Sequence, residues 1–376
     1  MLKVCHICPS TPGGCGMDST VAELILAERA IGIDACRIDP RMDERELRAH
    51  AMSSQPSIDA KCPKCGHDFK LYQALEMKDN TVRPPAWSDD RGVCVAPVAY
   101  AGKCDVIVSH SGLDGRFDVF DAPRIHVAHG RPNSSYRIER DGEHPIYTVY
   151  RKMADDPRWR FLVTLWPGYE HYWSLVFPRV KVVNPFVDLA KWNVGPRDYG
   201  FGGKRGGVNV VIADMWRKDA DPFHSIHAFA KFAENVPEAR LHVYGMDGNG
   251  RARDTLLQAL RDRGVLGEAV NMLPDLSPVY RAADMVVTPH RIATRVVREA
   301  LASGTPVVAG TGNPYTPYSA DPENLPGFAQ AMAECLADRR ARPNAVPAEC
   351  RQTAEHEFST ARAAGAFRGL FEEVLA

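Results

Sequence analysis

The chain has 376 residues, 45% of them hydrophobic, long enough to bury two cores without a disulfide framework. Lys plus Arg number 46 against 47 for Asp plus Glu, a net charge of -1, which excludes whole-protein attraction to nucleic acid or an anionic membrane. No apolar run approaches the roughly 20 residues of a membrane span, and MLKVCHIC reads as a first strand rather than a signal peptide.

That strand, Leu2 to Cys8, leads through PSTPGGCGMDST into a helix, VAELILAERAIG. Thr20 and Glu23 have the spacing of a capping box at its start, and Gly32 ends it. Gly13, Gly14 and Gly16 allow the backbone to approach a phosphate or a sugar closely. The pattern is neither the dinucleotide fingerprint nor a P-loop, and a ligand-free strand–helix turn is the alternative. Residues 40–100 read as a polar insertion poor in strand signals. Within it, Cys62 and Cys65 of KCPKCGHDF have the spacing of half a zinc site, with His67 and Cys94 as candidates to complete it. A structural rather than catalytic zinc is the expectation there; an unmetallated turn or a reactive thiol pair is the alternative. The remaining Cys of the ten are scattered, and reduced thiols in a cytoplasmic protein are expected.

Two buried strands follow, CDVIVSHSG and RIHVAHG, placing His110 and His129 at carboxyl tips, where sites of parallel sheets form. Between residues 131 and 160, Tyr136, Tyr147, Tyr150 and Trp159 alternate with cations. Glu139, Asp141, Glu143, Asp155 and Asp156 cancel most of that charge, which favours a solvated surface over a nucleic-acid platform. The Gly-dense stretch 191–207 reads as a flexible linker between a domain at 1–190 and a second at 208–350. The amphipathic tail, 353–376, is expected to be one helix packing back on the first domain, after a break at PNAVP. VNVVIAD, LHVYG and later runs alternate with helices, giving an α/β class with doubly wound parallel sheets.

The most informative stretch is ADMVVTPHRIATRVVREALASGTPVVAG, Ala283 to Gly310. It reads as a strand (Met285 to Thr288), an Arg-rich loop, a helix through Arg298, Glu299 and Ala300, and a second strand after Gly304. The loop thus lies at a strand's carboxyl end and leads into a helix N-terminus, where anions are held.

With these segments in place the chain resembles the GT-B glycosyltransferases, and among them the retaining class with nucleotide-sugar donors, family 4. LSPVYRAADMVVTP followed by REALASGTPVVAG is the most specific match. TPGGCGMDSTVAELILAERAIGIDACRID, DVIVSHSG, VAHG, VVNPFVDLAKW and EARLHVYGMDGNG match further family segments. The resemblance implies two facing Rossmann-like domains, an acceptor side at 1–190 and a nucleotide-sugar side at 208–350. It also implies sugar transfer with retention, no catalytic metal and no cofactor beyond the donor itself. Glu299 falls on the family's second Glu, the ribose ligand, whereas Arg291 stands where the first Glu is expected and the glycine–phenylalanine–glycine turn is missing. Arg217 and Lys218, adjacent here rather than spaced, take the role of diphosphate cations, assisted by Thr294, with Arg291 or Arg295 adding charge. Gly14, Gly16 and Gly245 fall in the donor-side loops, and His129 orients the donor sugar or polarises the acceptor. The acceptor itself is open among a glycan, a lipid-linked sugar, a small metabolite and a modified nucleic-acid base. Two rival functions use the same resemblance: a nucleotide-sugar epimerase of similar fold, and a non-catalytic binding protein that has lost the first Glu.

Overall fold

Runs rich in Val and Ile become parallel strands buried on both faces. The computed structural model describes residues 1–8, 16–38, 58–61, 68–71, 76–78, 81–83, 95–96, 98–110, 115–129, 146–205, 207–214, 223–245, 250–270 and 275–376. The chain divides into two units, one of Met1–Pro185 with Thr360–Ala376 and one of Phe186–Ser359.

The strands of the first unit are β1 (Lys3–Ile7), β2 (Asp34–Ile38), β3 (Ile58–Lys61), β4 (Asp68–Leu71), β5 (Glu76–Lys78), β6 (Thr81–Arg83), β7 (Val95–Ala96), β8 (Val106–Ser109), β9 (Arg124–Ala128), β10 (Trp159–Thr164) and β11 (Val180–Val182). Seven of them form one sheet in the order β11-β10-β9-β8-β1-β2-β7, with every pair parallel. The chain winds outward from β1 through β2 and then returns to the other side at β8. A crevice therefore opens between the carboxyl ends of β1 and β8, the kind of switch point where open α/β sheets bind ligands.

The second unit has β12 (Val208–Ile212), β13 (Ala239–Tyr244), β14 (Leu266–Val270), β15 (Met285–Val287), β16 (Val307–Gly310) and β17 (Ser319–Ala320), in the order β14-β13-β12-β15-β16-β17. Its switch point lies between β12 and β15. Val208, Val210 and Ile212 pack with Phe229, Phe232, Phe328 and Met332 of the covering helices, Phe223–Ala233 and Leu325–Ala341. At about 25 cal/mol per Å² of apolar area, this core is the main stabilising term of the unit.

Five local expectations are corrected. Residues 40–100 contain two antiparallel hairpins, β3–β4 and β5–β6, made by short polar strands that lack a long apolar run. The first helix starts at Gly16, a turn before Thr20, so Thr20 and Glu23 are interior buried residues and not a cap. Asp18, in that earlier turn, pairs with Arg37 on β2, and both side chains are fully buried, which anchors the helix start. The tail is two helices, Ala345–Glu357 and Thr360–Leu375, and PNAVP opens the first of them. Pro is tolerated in a helix's first turn because no intrahelical N–H bond is lost there. The Thr360–Leu375 helix packs on Gly16–Ala30, and Arg368 donates to the Ile31 carbonyl.

Trp159 is buried and Tyr150 meets Trp173 edge to face, so these two aromatics belong to a core and not to a solvated surface. The thiols are not all reduced. Cys5 and Cys104 form a disulfide with Cα atoms 6.0 Å apart. Cys36, paired in register with Cys5, has its sulfur 3.7 Å from the Cys5 sulfur. Parallel neighbours thus gather three Cys that are far apart in sequence, which a count of scattered Cys does not show.

The Gly-dense stretch is also tied down within the second unit. Phe201 is buried and stacks on His242 with ring centroids 3.9 Å apart. Tyr199 donates to Glu268 at 2.9 Å and Arg197 to Asp284 at 2.6 Å.

Candidate functional site

Each unit places polar side chains in its own crevice. In the first, helix Gly16–Ala30 carries Glu28 on the face that covers β1, and β1 carries His6. Glu28 Oε2 and His6 Nε2 are 2.7 Å apart, with both side chains fully buried. His6 Nδ1 is 2.9 Å from His110 Nε2, and His110 Nδ1 is 2.8 Å from His129 Nε2. His110 and His129 directly follow β8 and β9. A carboxylate can only accept, so Glu28 takes the Nε2–H of His6. Each neutral imidazole then accepts at Nδ1 and donates from Nε2, so that His129 donates to His110 and His110 to His6. Burial, and then the facing rings of His129, His6 and His126 with Arg37, hold His110 well below the usual imidazole range. His110, the middle ring of the series, is therefore neutral. His126, on the same strand as His129's approach, bonds Tyr150 instead at 3.2 Å, and burial lowers it to about 4.

In the second unit, Asp214 follows β12 and His290 follows β15, one on each side of the switch point. His290 Nε2 lies 3.3 Å from Asp214 Oδ1, and both side chains are buried. The helix Arg295–Ala302 begins beside them with Thr294 in the N-cap position, but the Thr294 hydroxyl does not cap the helix. Glu299, 6% exposed, is held by Arg295, whose Nε donates to Oε1 at 2.8 Å. The buried polar atoms of this unit that have no partner among the described residues include Asp214 Oδ2, Thr294 Oγ1 and the Tyr280 hydroxyl. Unpaired buried acceptors and hydroxyls cost about 1–3 kcal/mol each. Burial, and next the Glu299 and Asp214 charges, push the Tyr280 hydroxyl well above its ordinary range. It therefore stays protonated.

Backbone close approaches shape this edge. Gly245, at the end of β13, has φ +75°, a conformation that suits Gly. A Cβ at Gly310 would collide with the Pro289 carbonyl oxygen, so Gly lets the loop after β15 lie against β16.

The expected site residues divide accordingly. Thr294, Arg295 and Glu299 come together at one helix start. Arg291 does not join them: its side chain is 62% exposed and reaches toward Asp321, 3.8 Å away. Gly245 terminates the neighbouring strand, and Gly16 is the first residue of its helix. Gly14, Arg217, Lys218, Cys62 and Cys65 lie outside the described residues, as do His67 and Cys94. Among the described residues, the grouping with metal-ligand chemistry is Cys5, Cys36 and Cys104, two of which are spent in the disulfide. Sequence reasoning missed Glu28, His6, Asp214, Tyr280 and His290. The criterion that singled out His110 and His129, a His at a strand's carboxyl tip, also selects His290 in VVTPH. Glu28, an acid on the apolar face of AELILAERA, carried its own signal.

Residues 208–338 match the family model described as glycosyl transferases group 1. This part of the second unit is a glycosyl transferases group 1 domain, and the chain as a whole has the GT-B fold. Sucrose-phosphate synthase from Thermosynechococcus elongatus is similar in structure at 15% identity, with a TM-score of 0.66 over 100% of this chain and 99% of that one. The pneumococcal O-GlcNAc transferase GtfA, in complex with UDP and GlcNAc, matches at 12% identity and TM-score 0.62, covering 100% and 99%. The E. coli trehalose-6-phosphate protein bound with UDP-2-fluoro glucose matches at 11% identity and TM-score 0.65, covering 99% of each chain. No curated protein matches the chain by sequence. No helix among its described residues is long and apolar enough to cross a membrane.

Proposed function

We propose that the protein is a glycosyltransferase that moves a sugar from a nucleotide-diphosphate sugar to an acceptor, with retention and without a catalytic metal. The observation that carries the reading is the set of partnerless polar atoms, Asp214 Oδ2, Thr294 Oγ1 and the Tyr280 hydroxyl, in the unit that also holds the Arg295–Glu299 pair. The UDP and UDP-sugar complexes of the structural neighbours make uridine diphosphate sugars the first donors to try.

On this reading the nucleotide-sugar side is 208–350 and the acceptor side is 1–190, with 191–207 between them and the tail, 353–376, returning to the acceptor side. Glu299 accepts hydrogen bonds from the ribose hydroxyls, and Arg295 fixes its carboxylate in direction. As the bond from the anomeric carbon to the diphosphate breaks, negative charge grows on the leaving phosphate. Arg217 and Lys218, which follow β12 in sequence, neutralise it together with the Thr294 hydroxyl and the unpaired N–H groups of the helix start. Gly14, Gly16 and Gly245 give the donor close access to backbone, and Arg291 adds positive potential from the surface. His129 orients the donor sugar or polarises the acceptor, held in place through His110 and His6 by Glu28. The Cys62–Cys65 pair is proposed as part of a structural zinc site, and the protein as cytoplasmic.

The test is release of nucleoside diphosphate from a panel of nucleotide sugars, with and without candidate acceptors. Lys218→Ala and Glu299→Ala are expected to lose most of the acceptor-dependent release. Unchanged release in both variants rejects the donor assignments, and donor turnover without any acceptor favours the epimerase.

A further inference from the structure

At the opposite edge of the second unit's sheet, by the amino ends of β12, β15 and β16, lies a cavity of about 640 Å³. Arg197, Arg281, Arg339, Arg340 and Arg351 line it, with Asp284 the one carboxylate among the lining side chains. Three of these cations are already matched: Arg197 to Asp284 at 2.6 Å, Arg340 to Glu238 at 2.8 Å and Arg351 to Glu355 at 2.7 Å. The other two are not. Arg339 donates to the Pro343 carbonyl at 2.7 Å and meets no carboxylate among the described residues. Arg281 Nε is buried with no partner, and so is the hydroxyl of Ser303, a residue only 3% exposed. Burial first, and Arg197 next, hold Arg339 below its ordinary value, as expected of cations gathered without enough anions.

The cavity's other wall is apolar, with Val194, Leu336 and Pro347. Its volume equals roughly twenty waters at about 30 Å³ each, far more than a bare phosphate fills. Guanidinium groups fork onto phosphate oxygens, and a hydroxyl completes such a site. We propose that this cavity binds a small phosphorylated organic molecule. The phosphate sits on Arg281, Arg339 and the Ser303 hydroxyl, and the organic body lies against Val194, Leu336 and Pro347. The site is separate from the donor edge, because Asp214 and His290 stand at the carboxyl ends of the same strands. One helix joins the two: Arg295–Ala302 begins at Thr294, carries Glu299, and ends at Ser303.

Isothermal titration of the full chain, saturated with UDP to occupy the donor edge, tests this with inorganic phosphate, glycerol 3-phosphate and glucose 6-phosphate as probes. All three are expected to bind, and the two esters about tenfold or more tighter than inorganic phosphate. Arg281→Gln and Ser303→Ala should each weaken binding about tenfold with unchanged melting and circular dichroism. Absence of binding by all three phosphates overturns the proposal. So does undiminished binding in a folded Arg281→Gln chain and a folded Arg339→Gln chain.

Discussion

The two units build the same crevice from different chemistry. Each sheet reverses its winding at one point, β1 beside β8 in the first unit and β12 beside β15 in the second, and each puts side chains from both strands into the gap. The first fills it with three imidazoles in series on one buried carboxylate. The second fills it with carboxylates, hydroxyls and arginine, several of them left without partners. On the proposed reading, the series of rings serves the acceptor, and the carboxylates, hydroxyls and arginine bind the donor. One topology thus serves as a scaffold for two tasks, and function resides in the side chains placed on it.

The sharpest way to break that division is to remove the carboxylate of the binding crevice. Glu299→Ala should lower kcat/KM by at least about a hundredfold, mainly through the donor KM, since the lost bonds are made to ground and transition states alike. Steady-state diphosphate release measures it, and an unchanged donor KM removes Glu299 from the site.

A second effect belongs to buried imidazoles and concerns stability. His126 has its folded pKa lowered to about 4 and His242 to about 3, both first by burial. The folded state therefore favours the neutral ring, and protons bind on unfolding once the pH falls below the unfolded value. The stabilisation is complete above about pH 6.5 and is lost as pH falls toward the folded values. For His126 alone the loss by pH 5 is about 2 kcal/mol. Urea unfolding between pH 7.5 and 5 should show it, and His126→Phe should flatten the slope.

The smallest effect isolates the series of rings. Glu28→Gln removes the negative charge at its buried end, and kcat should fall about tenfold at pH 7 with its acid limb shifted, while the donor KM holds. A change in melting temperature with an unmoved pH profile reduces Glu28 to a structural role.

How much of this was legible in sequence follows from the range of each interaction. The parallel sheets were legible because buried strands announce themselves as Val-rich runs, and Glu299 was reachable because its segment, REALASGTPVVAG, is continuous. The series of rings was not. His6, Glu28, His110 and His129 come from four segments, and only the order of strands brings them into line. Asp214 and His290 are separated by 76 positions and meet only because β12 and β15 are neighbours. The same holds for Cys5, Cys36 and Cys104. The Gly-dense stretch also holds contacts that its composition does not announce: Phe201 and Tyr199 meet partners on β13 and β14.

The central claim is that the second unit's crevice binds a nucleotide sugar through Glu299. The most direct measurement is the melting temperature of the wild-type chain and of Glu299→Ala across a panel of nucleotide sugars, UDP-sugars first. At about a hundredfold excess over Kd, at least one donor should raise the wild-type value by about 5 °C and leave the variant almost unmoved. A panel that shifts neither protein, or shifts both equally, contradicts the account.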